Sequence, residues 1–528
     1  MKKLYSSFIA LAMLVSLSAC EKIDISNKME TSTKYATTLT ILAGSETKDM
    51  APLLEKAEQT LGFNISVKYT GTIDGVEQIK NGATYDAAWF SQSKYFYDTE
   101  DGAKRIKISE KIMLSPVTVG VRKASYDKLG LKDGAKVSWA DVSRWVTEKK
   151  LTYAMTDPSE SNTGYVGLMG VAYSLAGKGE NLSAADVNKE KMTSFFSGHA
   201  VNAGSSGWLV DAFAKSKADF MINYESSILQ YNKQNPGDAL VVIYPFEGIV
   251  TSDYPMLLIE QSKADQFKKL TEFLKSVESQ KWIVENVARR AVNSQAMVGQ
   301  TVLPQAMLIE MPFSPDPKLS EQLLSAYYKD FKRPAALIFV LDTSGSMNEG
   351  TREEDMKKAI EGLTVNVDTS SRFAKLRERE KIWVLPFSGE SYGLQKFEMG
   401  QTEAQGQATR LQINQYVKSL KMSGGTAIFS TTMQAVKILK DEMLKNPEYR
   451  YSVIVFTDGV NTAGMGSDDF ISGVKKLGVA DQVRVFPILF GEGKKTELEN
   501  IANATGGRVF DGKNKSLSGV FKEIRSYQ

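Results

Sequence analysis

Three short stretches of this sequence carry oxygen-bearing side chains at spacings that could bind a cation, and two of them close apolar runs. Leu337-Ile338-Phe339-Val340-Leu341 leads into Asp342-Thr343-Ser344-Gly345-Ser346-Met347. An apolar run this short, closed by a carboxylate, predicts a buried parallel strand that delivers Asp342 to the edge of a sheet. Ser344 and Ser346 follow at alternating positions, so three hard oxygens can turn toward one point in a tight loop. Hard oxygens suit Mg2+ or Mn2+. Ser423-Gly424-Gly425-Thr426 adds a hydroxyl on a Gly-rich loop just before a helical stretch over 427–444. Val453-Ile454-Val455-Phe456-Thr457-Asp458-Gly459 is a second buried-type strand ending in a carboxylate. The carboxyl ends of strands form the ligand edge of an open parallel sheet, so Asp342 and Asp458 are both expected there.

The elements that must position these residues alternate from Arg333 onward. Strands are predicted over 335–342, 382–387, 452–457, 483–490 and, shorter, 508–510. Helices are predicted near 353–363, 427–444, 468–477, 495–504 and 517–525. This is the pattern of a doubly wound, Rossmann-like α/β sheet with helices on both faces. No G-x-G-x-x-G follows its first strand, and G-x-x-x-x-G-K-[ST] does not occur.

The five residues in this frame resemble the metal-ion-dependent adhesion site of the von Willebrand factor A domain. D-x-S-x-S is Asp342, Ser344 and Ser346; the later threonine is Thr426, and the later aspartate is Asp458 in Thr457-Asp458-Gly459. The resemblance implies a bound Mg2+ or Mn2+ and a protein partner whose Asp or Glu carboxylate completes the coordination, as in cell adhesion. Serines that only cap the next helix would explain the first loop. They would not explain Thr426 and Asp458.

An enzymatic reading fits the same residues less well. A metal-dependent phosphatase of the haloacid-dehalogenase-like kind, with Asp342 as nucleophile, wants a second aspartate two residues on as general acid. Ser344 stands there, so phosphoryl transfer lacks its proton donor. The single histidine, His199, lies far away in sequence. It is expected at the surface or in a loop, and a Ser-His-Asp arrangement around Ser344 is not expected. The chain reads as a binding protein, not an enzyme.

At 528 residues the chain needs two or three domains, and a net charge of +3 gives no reason to invoke nucleic acid. Met1-Lys2-Lys3 followed by the apolar stretch 8–15 reads as a signal peptide. It ends in Leu17-Ser18-Ala19-Cys20, which resembles a bacterial lipobox. That resemblance implies cleavage after residue 19 and lipidation, including palmitate, of Cys20, the one cysteine in the sequence. No later stretch is long and apolar enough for a transmembrane helix. The expected domains are a signal peptide (1–19), a lipidated tether (20–37), an α/β unit (38–325) and the sheet domain above (326–528). The mature protein would be anchored to a membrane through Cys20, facing the periplasm or exterior.

The first unit opens as βαβαβ. Thr38-Leu39-Thr40-Ile41-Leu42-Ala43 is a strand, 50–61 has helical spacing, 63–69 alternates like a strand, and Tyr85-Asp86-Ala87-Ala88-Trp89-Phe90 is a third strand. Gly44-Ser45, Tyr69-Thr70-Gly71-Thr72, Asp157-Pro158-Ser159-Glu160-Ser161-Asn162-Thr163-Gly164-Tyr165 and Asn223-Tyr224-Glu225-Ser226 resemble the corresponding segments of bacterial type II solute-binding proteins. The resemblance implies two periplasmic-binding-protein-like lobes with crossings near 116–121 and 241–258. It also implies a ligand set of Ser45, Thr70, Ser161, Asn162, Thr163 and Tyr224. Ser161, Asn162 and Thr163 precede an apolar helical run whose N-terminus could hold an anion; equally they could be caps. Glu225 and Glu247, if they faced the cleft, would argue against a small anion. Pro304, Pro312, Pro315 and Pro317 mark the junction between the units, with a helix over 319–328 packing on one of them.

Two functions follow as expectations. One is a membrane-anchored, metal-dependent capture protein. The alternative is the solute receptor of an ABC-type transporter, binding a small ligand between its lobes, an anion if the helix N-terminus after Ser161 takes part.

Overall fold

Strand Ala335–Asp342 is buried along its whole length, because alternate side chains enter two separate cores. Leu337, Phe339 and Leu341 pack with Met356, Ile360, Ile413, Val417 and Phe521 on one face. Ala336, Ile338 and Val340 pack with Phe429, Met433, Val436, Phe470 and Leu498 on the other. A strand covered on both faces loses the usual alternation and reads as a continuous apolar run.

The computed structural model describes residues 34–97, 100–178, 181–311, 317–365, 375–480, 482–490, 495–512 and 517–527. The expected signal peptide, Cys20, and Pro312 and Pro315 lie outside these residues.

The C-terminal sheet has the order Gln395–Glu398, Lys381–Phe387, Ala335–Asp342, Arg450–Thr457, Val483–Leu489, Phe510–Asp511. Every neighbouring pair is parallel except the first, where Gln395–Glu398 runs antiparallel to Lys381–Phe387. That edge strand, and the helix Glu403–Ser419 after it, are additions to the elements predicted from sequence. Helices Arg352–Thr364, Glu403–Ser419 and Leu517–Tyr527 contribute to the first core; Ile428–Lys445, Ser467–Leu477 and Lys495–Ala504 contribute to the second.

Two further sheets form the N-terminal lobes. The first has the order Asn64–Thr70, Thr38–Gly44, Ala87–Trp89, Pro255–Leu258, Ile108–Lys111. The second has the order Val250–Ser252, Met113–Arg122, Phe220–Tyr224, Tyr153–Thr156, His199–Ala203, with Leu240–Ile243 and Arg290–Ala291 also paired to Met113–Arg122. The chain leaves the first sheet after Lys111 and enters the second at Met113, so the crossing predicted near 116–121 lies at Ile112. It returns between Val250–Ser252 and Pro255–Leu258.

The connector between the units is helix Pro317–Ala326, running into a widened π-type turn over Tyr327–Phe331. Its rings join the second lobe: Tyr327 and Phe331 lie 5.0 and 6.2 Å from Phe196. Its polar groups meet the buried Asp157 carboxylate, which accepts bonds from Lys332 Nζ (3.0 Å) and the Tyr328 hydroxyl. Lys332 also donates to the Arg525 carbonyl on the C-terminal helix, 3.1 Å away.

His199 corrects the sequence expectation of a surface or loop residue. It begins strand His199–Ala203, is buried, and stacks on Tyr153 at 5.0 Å. Nε2 lies 2.9 Å from the Met155 carbonyl. Burial, aided by nearby Arg450, lowers its pKa to about 3, so the ring is neutral.

Candidate functional site

Asp342, Ser344, Ser346, Thr426 and Asp458 all sit at the carboxyl edge of the C-terminal sheet. Asp342 ends its strand and Asp458 directly follows Arg450–Thr457. Backbone hydrogen bonds tie the three loops together. Gly345 N–H donates to the Gly424 carbonyl (3.0 Å) and Ser423 N–H to the Thr343 carbonyl (2.7 Å), joining the first loop to the second. Thr462 and Ala463 N–H groups donate to the Thr426 carbonyl at 2.8 and 3.1 Å, joining the third loop to the second. Thr426 N–H returns a bond to the Thr462 hydroxyl at 2.8 Å. Gly424 adopts φ +84°, a left-handed conformation that a side chain would strain.

The two carboxylates are held differently. Asp342 is fully buried; one oxygen accepts the Ser344 N–H (2.9 Å) and the other the Thr457 hydroxyl (2.7 Å). Burial pushes its pKa up to about 6, against the lowering effect of those bonds, and Asp458 adds to the rise. Asp458 is 4 % exposed. Its Oδ2 accepts from Arg352 at 3.1 Å, while Oδ1 is buried without a hydrogen-bond partner among the described residues. The Ser344 and Ser346 hydroxyl oxygens are 3.1 Å apart.

A buried, unpartnered carboxylate oxygen on the same sheet edge as three hydroxyl-bearing residues is a donor set suited to a hard divalent cation. Among the described residues no three His, Cys, Asp or Glu side chains are grouped to hold a metal. A metal ion held here would draw mainly on hydroxyl oxygens. Sequence reasoning did not anticipate Arg352 or Thr462. The first looks like any exposed helix start, and the second acts through its own loop.

The second candidate lies where the two N-terminal lobes meet. Asn162, fully buried, accepts from the Tyr95 hydroxyl of the first lobe (2.9 Å) and donates to Tyr224 (3.1 Å) and Ser252 (2.9 Å). The Thr163 hydroxyl lies 2.8 Å from Thr156 and 2.9 Å from Ser206, and Ser161 lies 3.3 Å from Ser206. The backbone joins the lobes directly: Ile73 N–H donates to the Glu160 carbonyl at 3.1 Å. Gly71 makes that approach possible, since a Cβ there would lie 2.5 Å from the Glu160 carbonyl oxygen.

Three helix N-termini converge on this seam: Thr72–Lys80, Asn162–Ala176 and Ser206–Ala214. None has a side-chain cap bond, so Ser161 does not act as a cap. The Ser45 and Ser205 hydroxyls are buried without a hydrogen-bond partner among the described residues. Thr70 stands apart, its hydroxyl donating to Asp74 at 2.5 Å. Glu225 gives its charge to Arg290 (2.7 and 2.9 Å), and exposed Glu247 accepts from Trp139 N–H at 2.8 Å. Tyr95, Ser205, Ser206 and Ser252 belong to the seam without having been legible in sequence. Each is an ordinary polar residue placed by a long-range contact.

Residues 39–286 match the family model for bacterial extracellular solute-binding proteins, and residues 336–523 match that for the von Willebrand factor type A domain. The chain joins a solute-binding domain to a von Willebrand factor type A domain. No curated protein matches it. Among solved structures, the periplasmic binding protein P5PA is 15 % identical, with a TM-score of 0.44, over 56 % of this chain and 100 % of that one. AfuA from Actinobacillus pleuropneumoniae, with exogenous fructose-6-phosphate bound, is 15 % identical with a TM-score of 0.43, over 56 % and 98 %. The substrate-binding protein of an ABC transporter from Agrobacterium tumefaciens is 15 % identical with a TM-score of 0.43, over 57 % and 96 %. The solute-binding match points to an extracytoplasmic location. Among the described residues no helix is long and apolar enough to cross a membrane.

Proposed function

We propose that this protein is a membrane-anchored binding protein whose von Willebrand factor A domain holds Mg2+ or Mn2+ and captures a carboxylate of a protein partner. One observation carries this reading: Asp458 Oδ1 is buried and unpartnered at the sheet edge whose backbone-tied loops also carry Asp342, Ser344, Ser346 and Thr426. Ser344, Ser346 and Thr426 would contact the cation, with Asp342 and Asp458 acting directly or through water. Bound there, the ion supplies an electrophilic centre that favours an anionic oxygen as its remaining ligand. The protein holds the loops in place through the Gly345–Gly424, Ser423–Thr343 and Thr462–Thr426 bonds. Anchoring is through Cys20. Capture of surface or matrix proteins, measured with and without EDTA and with Asp342→Ala, tests the reading; capture indifferent to both refutes it.

A second reading concerns the solute-binding domain. Two helix N-termini without side-chain caps, those of Asn162–Ala176 and Ser206–Ala214, and the unpartnered Ser45 and Ser205 hydroxyls meet in one seam. That arrangement favours a small oxyanion, held by N–H and O–H donors without a full positive charge. A thermal-shift screen against anions, sugars and amino acids tests it. Stabilisation by anions alone supports it, and silence toward every anion refutes it.

A further inference from the structure

Arg352 opens helix Arg352–Thr364, directly after the first metal loop. One guanidinium nitrogen, Nη1, donates to three acceptors: the Ser346 carbonyl (3.0 Å), Glu349 Oε2 (3.0 Å) and Asp458 Oδ2 (3.1 Å). The cation is thus held between the first and third loops, on the oxygen of Asp458 opposite the unpartnered one. Its side chain is 22 % exposed, against 5 % for Asp458 and 71 % for Glu349, so the buried charge it meets is that of Asp458. Other acids on this helix are engaged elsewhere: Glu353 with Lys357 (2.7 Å), Glu354 with Lys358 (2.6 Å) and Asp355 with the Thr351 hydroxyl (2.7 Å).

We infer that Arg352 is a specificity-determining residue of this site, one that makes cation and carboxylate bind cooperatively. The inference rests on the metal reading above. The guanidinium cancels one of the two carboxylate charges at the site. A divalent ion then leaves an excess of positive charge, which weakens its binding alone and strengthens its demand for an anionic ligand. An incoming carboxylate supplies the missing charge and fixes the ion in place. Without Arg352 the two aspartates balance the ion, and the incoming carboxylate gains much less.

The test is Mn2+ titration calorimetry on the whole chain, with and without acetate as the carboxylate probe, for wild type, Arg352→Gln and Arg352→Lys. Arg352→Gln should bind Mn2+ alone about tenfold more tightly, between the small effect of exposed charge pairs and the large effect of dry ones. It should also lose most of the tightening that acetate gives the wild type. Arg352→Lys should behave like wild type. If Arg352 only braces the loops, Arg352→Gln will bind Mn2+ more weakly, which overturns the inference, as would unchanged affinity. A wild type that takes up no Mn2+ at all would instead overturn the metal reading itself. Thermal unfolding of each variant without metal shows whether the loop frame is intact.

Discussion

Lys332→Met should loosen the seam between the solute-binding and von Willebrand factor A domains. Lys332 Nζ lies 3.0 Å from Asp157 Oδ2, with side-chain exposures of 12 % and 0 %. Burial works to raise the Asp157 pKa. Lys332, with the hydrogen bonds from Tyr328 and Ser159, outweighs it and holds the carboxyl below its ordinary value. Burial pushes Lys332 down to about 8, and Arg525 and Arg450 add like charge, while Asp157 pulls the other way. Removing the ammonium leaves a carboxylate in the interior with only neutral donors, which costs about 3–5 kcal/mol. Asp157→Asn should also destabilise, by stranding the ammonium. The double variant Asp157→Asn, Lys332→Met strands neither charge, and replacing both members of a buried pair is often nearly neutral. Calorimetric melting of the four proteins measures this, with limited proteolysis around residues 300–331 as a readout of domain separation. The reasoning is refuted if Lys332→Met costs under about 1 kcal/mol, or if the two single effects simply add.

Three further outcomes are expected. His199 is held neutral, with a folded pKa of about 3 against 6.5 for the free side chain, and Arg450, Lys332 and Asp157 are its charged neighbours. Its contribution is therefore complete above pH 6.5 and falls as pH drops toward 3, by roughly 5 kcal/mol at most; a His199→Gln series in acid unfolding should show a flatter profile, and an unchanged slope contradicts this. Gly71→Ala places a Cβ 2.5 and 2.9 Å from the carbonyl oxygens of Glu160 and Gly204, so it should hold the lobes apart. Small-angle scattering should then report an expanded molecule with normal helix content, and a profile identical to wild type argues against the closed seam. Mg2+ or Mn2+ at a hundredfold excess over Kd should stabilise the chain by about 2.7 kcal/mol, a gain that Asp458→Ala abolishes in thermal melts.

What could be read from sequence follows from burial. Strands Ala335–Asp342 and Arg450–Thr457 are covered on both faces, so each holds an unbroken apolar run, 335–341 and 453–456, that stops just before its aspartate. Gln395–Glu398 offers one apolar residue, Phe397, on an exposed edge, so no pattern announces it. Helix Glu403–Ser419 is polar over most of its length and carries Gly406, which hides its period. The D-x-S-x-S residues are local and legible together. Arg352 reaches Asp458 across 106 positions, and Tyr95 reaches Asn162 across 67. Contacts of that kind depend on how whole elements dock, and residue types alone do not encode them. His199 misled because a lone polar residue after Gly198 looks exposed. Its stack on Tyr153 and its bond to Met155 are set by sheet pairing.

The most direct test of the account is a crystal of the whole chain grown with MnCl2, with data collected for the anomalous signal of manganese. A single strong peak among the Ser344, Ser346 and Thr426 hydroxyls, facing Asp458 Oδ1, is the predicted result. An ordered sheet edge with no peak there would contradict it.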